Sequence, residues 1–407
     1  MKFALGTLLV LLIVIQTSIF LFDLNFDFRQ KSPIKVGLIF STKGSNDKSE
    51  HTAQQAALFA IDEINRQGGI LGRQLLPIIQ DTQSDWKNTK ESFEQLINSE
   101  RVKIIFGSGN QWKTEELQQL LAKSGTLLIT SSRYLGVSRS LNIIYMGITA
   151  NQQVPITVEY CLNHIGKGVV LVGSQDATSL VINKLLRHFI QAQDATLQGD
   201  YILSGDAGEI EKVIKEIVDT KPKAILNTLP AGMLPIFFKK LKEAGIPPSK
   251  LTIFSLNLTQ DDLIDMEIED LAGSYATWNY FQTLQNEINQ QFKKDFFNFS
   301  ELRDIGDSAE AAYNSVHIWA KAVEETGHED LSLIHNALRH LKILAPEGAV
   351  TINKEGDGAW KYSRIGKVSH DGQFEVVWQT EVPIPPFPFP LIPSTKFEKQ
   401  SQNNERP

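Results

Sequence analysis

Thr130-Ser-Ser-Arg-Tyr134 sets the hydroxyls of Thr130, Ser131 and Ser132 beside the guanidinium of Arg133, a denser group of hydrogen-bonding side chains than helix capping requires. Two other polar stretches have similar content. Gly173-Ser-Gln-Asp-Ala-Thr-Ser179 carries Asp176, and Asn257-Leu-Thr-Gln-Asp261 carries Gln260. Capping the helix that follows is the competing role for both side chains. The stretch from Gly107 to Lys113 turns from a strand into a helix, where free main-chain N–H groups can hold an oxygen of a bound molecule. All of these are donors and acceptors suited to a small polar solute. Arg133 is expected at a rim, because arginine is seldom fully buried.

Chemistry beyond binding has no support in the chain. Gly107-Ser-Gly-Asn lacks the third glycine of a dinucleotide-binding turn, and no Gly-Lys-Ser/Thr phosphate loop is present. The eight histidines make no His-x-x-x-His pair, so zinc has no ligand set. There is no Gly-x-Ser-x-Gly nucleophile elbow. Asp62-Glu63, Asp261-Asp262 and Glu324-Glu325 each read as the solvated face of a helix. The expectation is a protein without catalysis, cofactor or metal.

These loops need rigid elements to aim them. Lys35-Val-Gly-Leu-Ile-Phe40 is a continuous apolar run of the kind buried on both faces of a parallel sheet. Ala53, Ala56, Ala57, Ala60, Ile61 and Ile64 recur at helical spacing, and Gly68-Gly69 stops that helix. A second strand, Leu75–Ile79, ends at Gln80-Asp81. Strands at 103–106, 126–130 and 142–145 follow, with a helix over 114–123. A second alternating set runs from strand 168–172 through helix 178–192, strand 200–203, helix 207–219, strand 224–228 and helix 232–244 to strand 251–255. Two β/α sets in series predict two doubly wound lobes. An open parallel sheet binds beyond the carboxyl ends of its strands, and every polar stretch above sits there, as do residues 41–52 and 81–86.

With 407 residues the chain has room for two sizeable cores. A net charge of -7 argues against nucleic acid. The single cysteine, Cys161, cannot form an internal disulfide and reads as a small buried hydrophobe on a helix. Ala4 to Phe22 is a charge-free apolar run, close to the ~20 residues of a spanning helix. No Ala-x-Ala follows it, nor a lipoprotein cysteine. We read an uncleaved signal-anchor that tethers the body outside the cytoplasmic membrane, with a cleaved signal peptide as the rival. Residues 382–407, proline-rich and then polar, read as an extended tail.

Ala60-Ile-Asp-Glu-Ile-Asn65, Gly68-Gly-Ile-Leu-Gly-Arg73 and Asp81-Thr-Gln-Ser-Asp-Trp86 resemble the first lobe of bacterial solute-binding proteins for branched-chain amino acids, short amides and urea. Trp278-Asn-Tyr-Phe281 and Ala345-Pro-Glu-Gly348 resemble the amide and urea branch in particular. The resemblance implies a type I periplasmic-binding-protein fold, an α/β clamshell whose chain crosses between lobes three times, near 146–152, 273–281 and 345–352. Lobe one would combine 33–146 with 280–342, and lobe two 147–279 with 343–381. It implies hinge closure around a small polar solute and an ABC permease in the same membrane as partner. An amide-responsive sensor docking a membrane regulator is the alternative. Gln111, Thr130, Ser132, Tyr134, Asp176 and Gln260 are the expected ligand-binding residues. Several depart from the amide and urea pattern, which has an aromatic and a hydroxyl residue where Gly109 and Gln111 stand, a tyrosine at Thr130 and a glutamate at Gln260. The scaffold is kept while the pocket is altered. Such a pocket suits a larger, more hydrogen-bonding solute, or a cleft that has lost binding.

Overall fold

The computed structural model describes residues 32–42, 47–108, 115–135, 140–339 and 341–387. The expected anchor over 4–22, Gln111 and most of the tail therefore lie outside the described residues. Among the described residues, no helix is long and apolar enough to cross a membrane.

The first lobe opens with β1 (Ile34–Phe40), α1 (Asp47–Arg66), β2 (Leu75–Asp81), α2 (Trp86–Glu94), β3 (Ile104–Gly107), α3 (Glu115–Ser124), β4 (Leu127–Thr130) and β5 (Ile143–Tyr145). The strands form one parallel sheet in the order β2-β1-β3-β4-β5. Alternation along each strand divides its side chains between two faces. Val36, Leu38, Phe40, Ile104, Phe106 and Ile129 enter one core, while Ile39, Ile105 and Leu128 enter the other. The alanine stripe of α1 is fully buried against the first of these cores. Gly69 ends the α1 turn at φ 76°, and a Cβ there would lie 2.0 Å from the Arg73 carbonyl oxygen. Only glycine fits.

The second lobe contains α4 (Ala150–His164), β6 (Gly168–Ser174), α5 (Ala177–Ala192), β7 (Thr196–Leu203), α6 (Ala207–Thr220), β8 (Ala224–Asn227), α7 (Leu234–Glu243), β9 (Thr252–Ser255), α8 (Gln260–Leu263), α9 (Ile268–Leu271) and β10 (Tyr275–Trp278). The chain then returns to the first lobe with α10 (Glu287–Phe299), α11 (Asp307–Thr326) and α12 (Leu331–Leu338). A small antiparallel sheet of β11 (Lys342–Ala345), β12 (Gly348–Ile352) and β13 (Ala359–Trp360) precedes β14 (Arg364–Val368) and β15 (Phe374–Gln379). The second large sheet has the order β15-β14-β10-β9-β8-β6-β7, antiparallel only where β14 and β15 join it.

Two features differ from the sequence reading. Helix α2 is not anticipated, because its buried face is mostly short polar residues, Thr89 and Ser92 beside Phe93. It is held instead by Asp85, which accepts a hydrogen bond from the Asn88 N–H at 3.0 Å. The small sheet also packs on the first lobe: Ala345, Val350, Ile352 and Ala359 belong to that core. The chain thus stays with lobe one past residue 342 and joins the second core only after Ala359. Cys161 is buried on α4, and desolvation pushes its thiol up to about 12.

Candidate functional site

The carboxyl ends of β3 and β4 present Ser108 and the run from Ser131 to Tyr134. Main-chain bonds fix this run. The Ser131 N–H donates to the Gly107 carbonyl at 3.0 Å, and the Tyr134 N–H to the Ile148 carbonyl at 2.9 Å. Thr130 is buried, and its Oγ1 accepts from the Ser132 N–H at 3.2 Å. The Ser108 and Ser132 hydroxyls lie 3.4 Å apart. Tyr134 stacks on Tyr145 with centroids 3.7 Å apart, inside a lobe-one core. Thr130 and Tyr134 therefore shape the loop from behind. Gly147, on the crossing to lobe two, allows this packing, because a Cβ there would lie 2.4 Å from the Ser131 and Ser132 carbonyl oxygens.

Lobe two faces this loop with the ends of β6, β8, β9 and β10. Asp176 caps α5, its Oδ1 accepting from the Ser179 N–H at 3.0 Å. The Asn257 amide donates to the Thr228 carbonyl at 2.7 Å, and the Trp278 indole N–H to the Leu258 carbonyl at 2.7 Å. Both side chains are thus locked before anything binds.

Arg133 joins the two sides. Its Nη1 donates to Asn257 Oδ1 and its Nη2 to the Leu256 carbonyl, both at 2.6 Å. The guanidinium lies 4.8 Å from the Trp278 ring centroid. Desolvation lowers its pKa to about 10, against the fields of Asp307 and Asp176, so it remains a cation at neutral pH. The rim position expected from sequence is corrected: Arg133 is partly buried and spans the cleft. Residue-type statistics could not reveal this, because the acceptors lie over a hundred residues away.

The lobes also meet along one flank. Lys48 of α1 pairs with Asp265. Gln260 Nε2 donates to Asp304 Oδ1 at 3.0 Å and to the Gly372 carbonyl at 3.1 Å. Asp261 lies buried against α1 beside Thr52, whose hydroxyl donates to the Lys48 carbonyl at 3.0 Å, and desolvation raises the Asp261 pKa to about 7. The solvated-face reading of Asp261-Asp262 is corrected here, because interlobe packing rather than helix periodicity buries Asp261. Gln260 faces the seam between α8 and the 304–306 loop.

Behind the cleft a buried ionic group braces the crossings. Asp307 Oδ1 accepts from the N–H groups of Asn279 and Tyr280 at 3.0 and 2.8 Å. Lys361 pairs with Glu347 at 2.7 Å, and Arg364 donates to the Asn279 and Glu347 carbonyls. Glu310 accepts from the Glu347 N–H at 3.0 Å, and burial raises its pKa well above the ordinary carboxyl value. A recess of about 490 Å³ opens on this hinge side, away from the strand ends, lined in part by Leu284, Asn286, Tyr362 and Arg364. Among the described residues, no group of His, Cys, Asp and Glu side chains could hold a metal ion.

Residues 34–395 match the family described as periplasmic binding protein domain. The chain is 23% identical over 336 residues to the leucine-, isoleucine-, valine-, threonine- and alanine-binding protein of Pseudomonas aeruginosa, covering 80% of this chain and 87% of that protein. Its fold is similar to that of an ABC-transporter solute-binding protein from Rhodopseudomonas palustris in complex with 3,4-dihydroxybenzoic acid, with a TM-score of 0.77, 20% identity, and coverage of 87% and 99% of the two chains. It is also similar to the branched-chain amino acid transporter substrate-binding protein LivJ from Streptococcus pneumoniae in complex with isoleucine, at a TM-score of 0.76, 17% identity, and coverage of 86% and 100%.

Proposed function

The chain belongs to the periplasmic binding protein family, and we propose that it is the extracytoplasmic solute-binding component of an ABC transporter, closing two lobes around one small polar solute without chemistry. The solute falls in the urea, short amide or amino acid class. The observation that carries this reading is Arg133, which bonds from a lobe-one loop to Asn257 and Leu256 in lobe two at the carboxyl ends of both sheets. Closure brings these two walls together, while the braced crossings absorb the rotation. Residues 4–22 would hold the body at the outer face of the membrane, beside the permease that reads the closed form.

Calorimetry of the full-length chain in detergent, with urea, acetamide, L-isoleucine and benzoate as titrants, tests the reading. A solute present at 100 times its Kd should stabilise the fold by about 2.7 kcal/mol. Absence of heat and of thermal shift across the panel would refute solute binding. Recovery of a permease and ATPase from native membranes separates transport from the sensor role, which predicts a kinase or regulator instead.

A further inference from the structure

We propose that Arg133 makes this cleft selective for solutes that carry a carboxylate over their neutral amide counterparts. The inference rests on the solute-binding reading above and adds to it the charge of the solute.

The argument starts from the acceptors that Arg133 now has. Its two bonds go to an amide oxygen, Asn257 Oδ1, and to the Leu256 carbonyl, both neutral. The Leu256 carbonyl already accepts from the Gln153 side chain at 2.9 Å. The Arg133 Nε–H is buried without a hydrogen-bond partner. Among the described residues, no carboxylate lies in ion-pair contact with the guanidinium. The two acids whose fields reach it are engaged elsewhere, Asp307 by the Asn279 and Tyr280 amides and Asp176 by the Ser179 amide.

A guanidinium withdrawn from water among neutral acceptors is costly, and a glutamine could make the same two bonds without that cost. Charge at this point becomes favourable when a solute brings the anion. Guanidinium matches carboxylate in a planar two-bond fork, which a neutral amide cannot accept, because one of its two arms is itself a donor. The surroundings fit the same ligand group. Ser108 and Ser132 place hydroxyls on the same wall, and Trp278, buried in the lobe-two core, backs the guanidinium with its ring.

The test is a set of matched pairs titrated into the full-length chain in detergent: L-isoleucine with L-isoleucinamide, benzoate with benzamide, and acetate with acetamide. The carboxylate of the best pair should bind about 10- to 100-fold tighter than its amide, the range of a charge-assisted hydrogen bond. In Arg133→Gln that preference should fall to within about threefold, with the unfolding midpoint kept near that of the wild-type chain. Arg133→Lys, which keeps the charge but loses the fork, should retain part of the preference. Equal or tighter binding of the amides, or of urea, would overturn this inference and leave the solute-binding reading standing. A carboxylate preference that survives in Arg133→Gln would likewise overturn the role given to Arg133. Silence from every pair in the wild-type chain would overturn both.

Discussion

Side chains at the site carry their information unevenly. Thr130 and Tyr134 stand out by type and spacing, yet in the fold they support the loop, Thr130 through a hydroxyl that accepts from the Ser132 N–H and Tyr134 inside the core. Arg133 and Asp261 were undervalued, since their partners come from the other lobe and no local pattern encodes them. Glu50 shows the same effect within one lobe. It is buried, accepts from the Ser41 N–H at 2.5 Å, and desolvation raises its pKa to about 7, helped by the nearby Asp81. A carboxyl whose folded-state pKa lies above its unfolded value near 4.3 binds more protons when folded. Its stabilising contribution is therefore complete below about pH 4 and lost as pH rises through 7. Glu50→Gln, which can still accept from Ser41, should raise stability at pH 8 by about 1–3 kcal/mol and change it little at pH 4. Urea unfolding at the two pH values measures this, and equal shifts at both would refute the assignment. Gly147→Ala should cost about 1–3 kcal/mol by forcing a Cβ onto the Ser131 and Ser132 carbonyls. The same substitution should weaken solute binding, because it displaces the loop that carries Arg133.

Elements were more legible than their contacts. Periodicity of two and of 3.6 identifies the strands and helices of both lobes because one lobe face or stripe must be apolar for the layers to pack. The alternation of Val36, Leu38 and Phe40 with Ile39 is visible in the sequence and is realised as two separate cores. Legibility ends where elements are held by caps or charges. Helix α2 depends on Asp85, and the segment linking β11–β13 to β14 depends on a buried ion pair. That pair also predicts an outcome. Lys361→Met leaves the buried Glu347 carboxylate without its cation, close to Asp307 and Glu310, and should cost about 3–5 kcal/mol. Replacing both partners, Lys361→Met with Glu347→Leu, removes the uncompensated charge and should recover most of that loss. Chemical denaturation of the two variants decides the matter. A double variant no more stable than the single one would show that the pair does not act as a unit.

At the scale of the whole molecule, closure moves titratable groups as well as lobes. The flank where α8 meets α1 buries Asp261 beside Thr52, with Asp262 and Asp304 raising its pKa further, while Lys48 and Asp265 pair alongside. Opening the lobes would return Asp261 to water and to a carboxyl value near 3.9. The closed form then binds up to one more proton than the open form between about pH 4 and 7. Falling pH therefore favours closure, and it does so until the open form is protonated as well. Solute affinity should rise about tenfold between pH 8 and pH 6, for any solute whose own charge is constant over that range. Asp261→Asn removes the titration and should leave affinity flat across the same interval, at or above the wild-type value at pH 8. Calorimetry in two buffers of different ionisation enthalpy reads the proton directly: uptake on binding near pH 7 in the wild-type chain, and none in Asp261→Asn. Release of a proton on binding, or an affinity that falls with acidification, would mean that Asp261 stays solvated in the closed form and that the seam does not sense pH.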